Sequence, residues 1–224
     1  HLRAMMNLTG SHDSPRFSTS LYNPGRYKDR VNPRENPRYR IDRPDRRTRE
    51  IQEMILVEQF TWTGAPHIWY GDEVGMWGAD DPDPRKPMVW GDLEYEDEVA
   101  DPRGRPRDPD PVRPDDDLFQ TYRSLIALRK AHARLFAEGD LTWLEADDAN
   151  RVLGYRRSLG DEQAIVVFNA SEDPQRIALE AADGEWTVAF PTGGGDRTVS
   201  VDDGELRDEL GPLAAKVWIR SGGR

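Results

Sequence analysis

Cysteine is absent from this 224-residue chain, which excludes a disulfide framework and any thiolate metal site and leaves the redox compartment unreadable. Lysine is scarce: Lys28, Lys86, Lys130 and Lys216 are the only ones among 31 basic residues, and the rest are arginine. No apolar run approaches the roughly 18 residues of a membrane-spanning helix. Positive charge is in deficit as well. A net charge of −11 argues against a nucleic-acid or anionic-membrane partner, since both are polyanions. A neutral polar ligand remains open. The four histidines, at positions 1, 12, 67 and 132, show no metal-ligand spacing. What is present defines a folded chain. A hydrophobic share of 36% with seven tryptophans excludes disorder, although 33% charged residues and a mean hydropathy of −0.83 place the chain at the polar end. The length suits one or two domains with a real core.

Periodicity divides the chain near residue 138. Residues 4–9 read as a short buried strand. Residues 23–45 read as loop, broken by Pro24, Pro33, Pro37 and Pro44. Residues 48–62 read as a helix, apolar over much of its circumference through Ile51, Met54, Ile55, Leu56, Val57 and Phe60, with Asp45 or Thr48 as its cap. Residues 66–70 form a second short apolar run that closes on "YGDE". A Pro- and Asp-rich stretch over 80–117 reads as another long loop. Residues 118–135 then form an amphipathic helix, with Leu118, Tyr122, Leu125, Ile126 and Arg129 at helical spacing. After Gly139 the pattern changes. Residues 141–145, 152–157, 164–169, 176–180, 186–189 and 216–220 are short alternating segments separated by turn residues such as Leu159-Gly160-Asp161 and Gly193-Gly194-Gly195. That spacing marks an antiparallel β-sandwich or small barrel.

The first part carries the chemistry. His12–Asp13 and Asp72–Glu73 each fall just past a strand, each before a long loop and then a helix. In a barrel of βα units the residues ending each strand face the loops that build the active site. Either dipeptide alone is more simply a local loop feature. The arginine-rich segment over residues 25–49 is interrupted by Asp29, Glu35, Asp42 and Asp45, so it reads as a solvated loop. Asn7 and Asn169 match glycosylation sequons by chance, since both sit in or at strands.

Taken together, the two motifs are more specific. "NLTGSHDSPRF" resembles the region around strand seven of the α-amylase superfamily, glycoside hydrolase family 13. "GAPHIWYGDEVGMWGADDPDPRKPMVW" resembles its strand eight and the loop beyond. Within the family this second stretch is most similar to the cyclomaltodextrinase, neopullulanase and maltogenic-amylase branch. The resemblance implies an α/β plus all-β architecture. Residues 1–137 would be the C-terminal part of a (β/α)8 barrel, strands seven and eight with their helices. Residues 138–224 would be the C-terminal antiparallel β-sandwich.

The resemblance also assigns roles. Asp13 matches the family carboxylate that holds sugar hydroxyls and stabilises the transition state, and His12 the histidine bonding the same sugar. Asp81 and Arg85 match an acid–base pair touching donor-side glucose. Gly64, Pro66, Gly71 and Glu73 match the strand-eight motif, which is architectural, and Arg16 is taken as structural. Trp69, Tyr70, Trp77 and Trp90 could stack on sugars, although such aromatics more often belong to the core. The implied activity is retaining hydrolysis of α-1,4-linked glucans, with α-1,6 linkages left open. The implied partners are an α-glucan oligosaccharide and the rest of the barrel. The nucleophile and general acid lie on strands four and five of the family, so the chain reads as a C-terminal piece, inactive alone. No cofactor is expected in it, because the calcium ligands of the family lie mostly in the missing part. No signal peptide is legible, and the location stays open. A glucan transferase or trehalose synthase of the same superfamily is the first alternative, and a non-catalytic binding scaffold the second.

Overall fold

Residues 5–25, 31–101, 103–191 and 198–221 are described by a computed structural model. The chain forms two compact units, and each draws on separate stretches of sequence. One contains His1–Asn7, Glu53–Pro66 and Arg123–Arg224, the other Leu8–Gln52 and His67–Tyr122.

The first unit is dominated by strands. Eight follow Gly139 among the described residues: β5 (Asp140–Asp147), β6 (Val152–Leu159), β7 (Glu162–Asn169), β8 (Gln175–Glu180), β9 (Gly184–Phe190), β10 (Thr198–Val201), β11 (Glu205–Leu210) and β12 (Ala214–Arg220). Six form an antiparallel sheet in the order β10-β9-β12-β7-β6-β5, and β11 pairs with β8 separately. Between them lies one core, built from Ile165, Val167, Ile177, Leu179, Trp186, Leu206 and Trp218. On β8, Ile177 and Leu179 are buried while Arg176, Ala178 and Glu180 are exposed, so this pair has one wet face. Central β7 differs. Its "AIVVF" run is buried on both faces, which explains the absence of alternation there.

Its second face is covered by helix. Tyr155 and Phe168 point to that side, with ring centroids 5.9 Å apart, and the Tyr155 hydroxyl meets Thr61 Oγ1 at 2.6 Å. Thr61 ends α2 (Arg46–Thr61), and Leu135 and Phe136 of α4 (Ala133–Glu138) are fully buried. Two arginines close the end of α2. Arg129 donates to the carbonyls of Phe60, Trp62 and Gly64; Arg157, fully buried, donates to those of Thr61 and Gly139 at 2.7 and 2.9 Å. Cationic donors there satisfy carbonyls that lack a helical partner and oppose the helix dipole. Burial pulls Arg129 down to about 10, with Arg157 adding to the shift, and it remains charged at neutral pH.

The second unit is mostly long connections stitched by side chains. β1 (Met6–Leu8) pairs with β2 (Ala65–His67) as a two-stranded sheet, of which only Leu8 and His67 belong to this unit. α1 (Phe17–Tyr22) follows β1. Asp45 caps α2 by accepting from Thr48 N at 2.9 Å and Thr48 Oγ1 at 2.7 Å, and those bonds hold its carboxyl below the usual range. α3 (Asp116–Ala131) is capped by Asp115, which accepts from Leu118 N at 2.9 Å and pairs with Arg49 at 3.0 Å. Val31, Tyr39 and Ala79 make one small cluster, and Val74, Met76 and Val89 another.

Several expectations need correction. The 80–117 stretch is not all loop, because β3 (Glu98–Ala100) and β4 (Pro106–Asp110) form a hairpin pinned by Lys86–Glu98 and Arg107–Glu98 ion pairs, both 2.6 Å. The 118–135 helix breaks at His132 into α3 and α4. Strands β10 and β11 were not anticipated, and neither was α1. Ala4 and the Gly193-Gly194-Gly195 turn lie outside the described residues. Asn169 is wholly buried and bonds to the Asp173 carbonyl at 2.8 Å, which removes its sequon from consideration.

Candidate functional site

The loop after β1 presents His12 and Asp13 on a turn closed by two serines. Ser11 N donates to Ser14 Oγ at 3.1 Å and Asp13 N to Ser11 Oγ at 3.2 Å, so local hydroxyls replace backbone partners at the tip. The stretch after β2 is shaped by glycine. Gly71 adopts φ +86°, and a Cβ there would collide with Met76 Sδ and lie 3.2 Å from Arg16 Nη1. At Gly78 a Cβ would fall 2.7 Å from the Asp83 carbonyl oxygen. The Asp83 carboxylate then folds residues 79–85 by accepting from Ala79 N at 2.6 Å.

These two loops bring the four sequence-derived residues together. Arg85 Nη2 bonds Asp13 Oδ1 at 3.2 Å, and Arg85 Nε lies 2.7 Å from Asp81 Oδ1 and 3.1 Å from the His12 carbonyl oxygen. His12 Nε2 is 3.3 Å from Asp13 Oδ2. Asp13 is 68% exposed, so these pairs hold geometry rather than stability, each worth under about 1 kcal/mol. The array offers a carboxylate flanked by donors, the chemistry that grips vicinal hydroxyls. Of the aromatics, Trp77 is buried, while Tyr70 and Trp90 are exposed.

Beneath this exposed layer lies a buried one. The Arg16 guanidinium is 0% exposed, stacks 3.8 Å from the Trp69 ring centroid, and donates to the carbonyls of Tyr70 and, through Nε at 2.9 Å, of Pro84. Its Nη1 is 3.5 Å from Asp72 Oδ1. Burial pushes the Asp72 carboxyl up to about 7, Arg16 opposes the shift, and Glu73 adds to it. Sequence reasoning saw Asp72 only as a polar residue at a strand end. No periodicity marks its pairing with Arg16, which depends on loops 56 residues apart. Among the described residues no cluster of three or more His, Asp or Glu could hold a metal ion, and no helix is long and apolar enough to cross a membrane.

Comparison with known proteins gives the family. No family model matches the chain. It is 32% identical over 191 residues to a cyclomaltodextrinase of Geobacillus thermopakistaniensis, covering 85% of this chain and 25% of that protein. It is 31% identical over 175 residues to an intracellular maltogenic amylase of Bacillus subtilis, covering 78% and 22%. The α-amylase of Geobacillus thermoleovorans, solved with acarbose, superposes with a TM-score of 0.66 at 19% identity over 99% of this chain and 40% of that one, a likeness of fold. The chain belongs to glycoside hydrolase family 13. It spans about a quarter of the length of the curated relatives it matches. Within this family-13 chain, the His12–Asp13 and Asp81–Arg85 motifs, separated in sequence, are neighbours in space.

Proposed function

We propose that the chain is the C-terminal part of a retaining α-glucan hydrolase, with β1 and β2 as strands seven and eight of its (β/α)8 barrel. Residues 1–137 would complete the barrel and 138–224 form the sandwich. Met5, Met6 and Leu8 are exposed along a sheet of only two strands, which suits strands meant to be covered by barrel neighbours. Asp13 stabilises the transition state. As the sugar ring flattens toward an oxocarbenium ion its hydroxyls become more acidic, so a carboxylate gripping them binds that state better than the ground state. His12 supplies a second contact to the same sugar. Arg85 and Asp81 hold the adjacent donor-side unit, and Arg85 fixes the direction in which Asp13 presents its oxygens.

The observation that carries this reading is the Arg85 guanidinium between Asp13 and Asp81, which brings two motifs into one polar array. The nucleophile and general acid, roughly 5–5.5 Å apart in retaining enzymes, would come from strands preceding this chain. The substrates follow the relatives, cyclomaltodextrin and maltose-type α-glucans. In the test, the full-length gene product and residues 1–224 are each assayed on cyclomaltodextrin, maltodextrin and pullulan. Turnover by the longer protein, inhibited by acarbose, with none by 1–224, is the expected result. Turnover by 1–224 that survives repurification would show that the bond-breaking carboxylates have been misplaced.

A further inference from the structure

We propose that Arg16 is a positioning residue for the Asp13–Arg85–Asp81 array, coupling the loop after β1 to the loop after β2 without touching substrate itself. This deepens the functional reading above and rests on it for its kinetic consequence.

The argument starts from the acceptors that Arg16 serves. Arg16 stands three residues after Asp13, on the same loop, and its backbone N–H donates to the Gly78 carbonyl at 2.9 Å. Its side chain crosses to the other loop and ends on the Tyr70 carbonyl, the Pro84 carbonyl and Asp72. Pro84 immediately precedes Arg85, whose guanidinium bridges the two carboxylates. The path from Asp13 to Arg85 through Arg16 is therefore short, rigid and buried. The direct path, through exposed side chains, is soft. Ser18 Oγ to the Met76 carbonyl at 3.0 Å and Gly78 N to Thr19 Oγ1 at 2.9 Å add two more stitches between the same segments.

Only a planar fork can serve these acceptors at once; a lysine reaches one of them as a point charge. Asp72 restrains the fork from the other side. Its Oδ2 is buried and has no hydrogen-bond partner among the described residues. The charged or titratable groups acting on Asp72 are Arg16, Glu73 and, from α3, Tyr122, with Arg49 of α2 acting on Tyr122 in turn. A buried carboxylate is kept there although burial disfavours its charge, as expected where orientation is the requirement.

The test compares Arg16→Lys and Asp72→Asn with wild type in the full-length protein. It measures kcat and KM on cyclomaltodextrin at pH 5.5 and 8.5, the melting temperature of the same preparations, and the crystal structure of each variant. In Arg16→Lys, Arg85 should leave Asp13 and kcat per folded molecule should fall about 10- to 100-fold with little change in KM, the pattern of a group needed in the transition state. For Asp72→Asn the deficit should be several-fold at pH 8.5 and vanish at pH 5.5, where the wild-type carboxyl is itself protonated. A lower melting temperature with Arg85 still bridging and kcat unchanged overturns the proposal. If Arg16→Lys does not fold, Asp72→Asn decides: kcat unchanged at both pH values with Arg85 still bridging Asp13 and Asp81 overturns the proposal. If wild type turns over no α-glucan, the functional reading fails. The crystal structures then decide the positioning claim: Arg85 displaced supports it, and Arg85 in place refutes it.

Discussion

Replacing Arg157 by methionine tests how the sheet and α2 are joined. The side chain is fully buried, and its donors reach the carbonyls of Thr61 at 2.7 Å and Gly139 at 2.9 Å. Methionine fills a similar volume but donates nothing, so both carbonyls lose a partner. Each buried acceptor left unsatisfied costs about 1–3 kcal/mol. Removing a desolvated charge returns part of that, which leaves a net loss of about 3 kcal/mol. For a chain of this length each kcal/mol moves Tm by about 2–4 °C, so Arg157→Met should melt about 6–12 °C below wild type. Differential scanning calorimetry of residues 1–224 reads this directly. Arg176→Met is the control: that guanidinium is 90% exposed and pairs with Glu209 at 3.4 Å, so its loss should move Tm by no more than about 2–4 °C. An Arg157→Met protein that melts with wild type, or above it, would refute the reasoning, because the buried cation would then cost as much as its hydrogen bonds contribute.

Other consequences follow from the same geometry. Gly71→Ala places a Cβ against Met76 Sδ at φ +86°, so it should destabilise by more than the roughly 1–2 kcal/mol of the left-handed backbone alone, read as a drop in Tm. Asp81→Asn in the full-length protein should raise KM and alter product lengths while sparing kcat if, as proposed, its contact lies away from the scissile bond; chromatography of timed digests checks this. Asp72 has a folded pKa raised to about 7 from 3.8, so the native state binds the extra proton between those values and stability falls as pH rises through that window. Asp72→Asn removes the titration, so it should match wild type near pH 4 and melt higher than wild type at pH 8, seen in paired melts across pH.

Much of the fold is legible where one local rule decides. The apolar "AIVVF" of β7 and the apolar circumference of α2 need no tertiary information, and neither does Asp45 placed three residues before Thr48. Legibility fails where tertiary contacts override composition. In β11 only Leu206 and Leu210 are buried, and the charged Glu205, Arg207, Asp208 and Glu209 around them disguise the strand. The β3–β4 hairpin sits in a segment whose prolines and aspartates signal loop, and its stability rests on ion pairs with Lys86 and Arg107 that no periodicity shows. α1 has six residues, too few to stand alone, and depends on the stitches of Ser18 and Thr19. At the site the exposed layer is readable through the family resemblance of its two motifs: His12, Asp13, Asp81 and Arg85 are adjacent in space. The buried Arg16–Asp72 layer is not, because a lone arginine and a lone aspartate in separate loops look the same whether solvated or paired.

The most direct measurement is Asp13→Asn in the full-length protein, with kcat, KM and Tm taken on one preparation. The substitution keeps shape, removes the charge and replaces one acceptor oxygen by a donating NH2 group. If Asp13 grips sugar hydroxyls whose bonds strengthen as positive charge develops, kcat should fall by about 10² to 10⁴ with a smaller change in KM and a nearly unchanged Tm. If Asp13 is only a loop residue tied to Arg85, Tm should fall while the folded molecules keep their specific activity, and that result would contradict the assignment of Asp13 as the transition-state carboxylate.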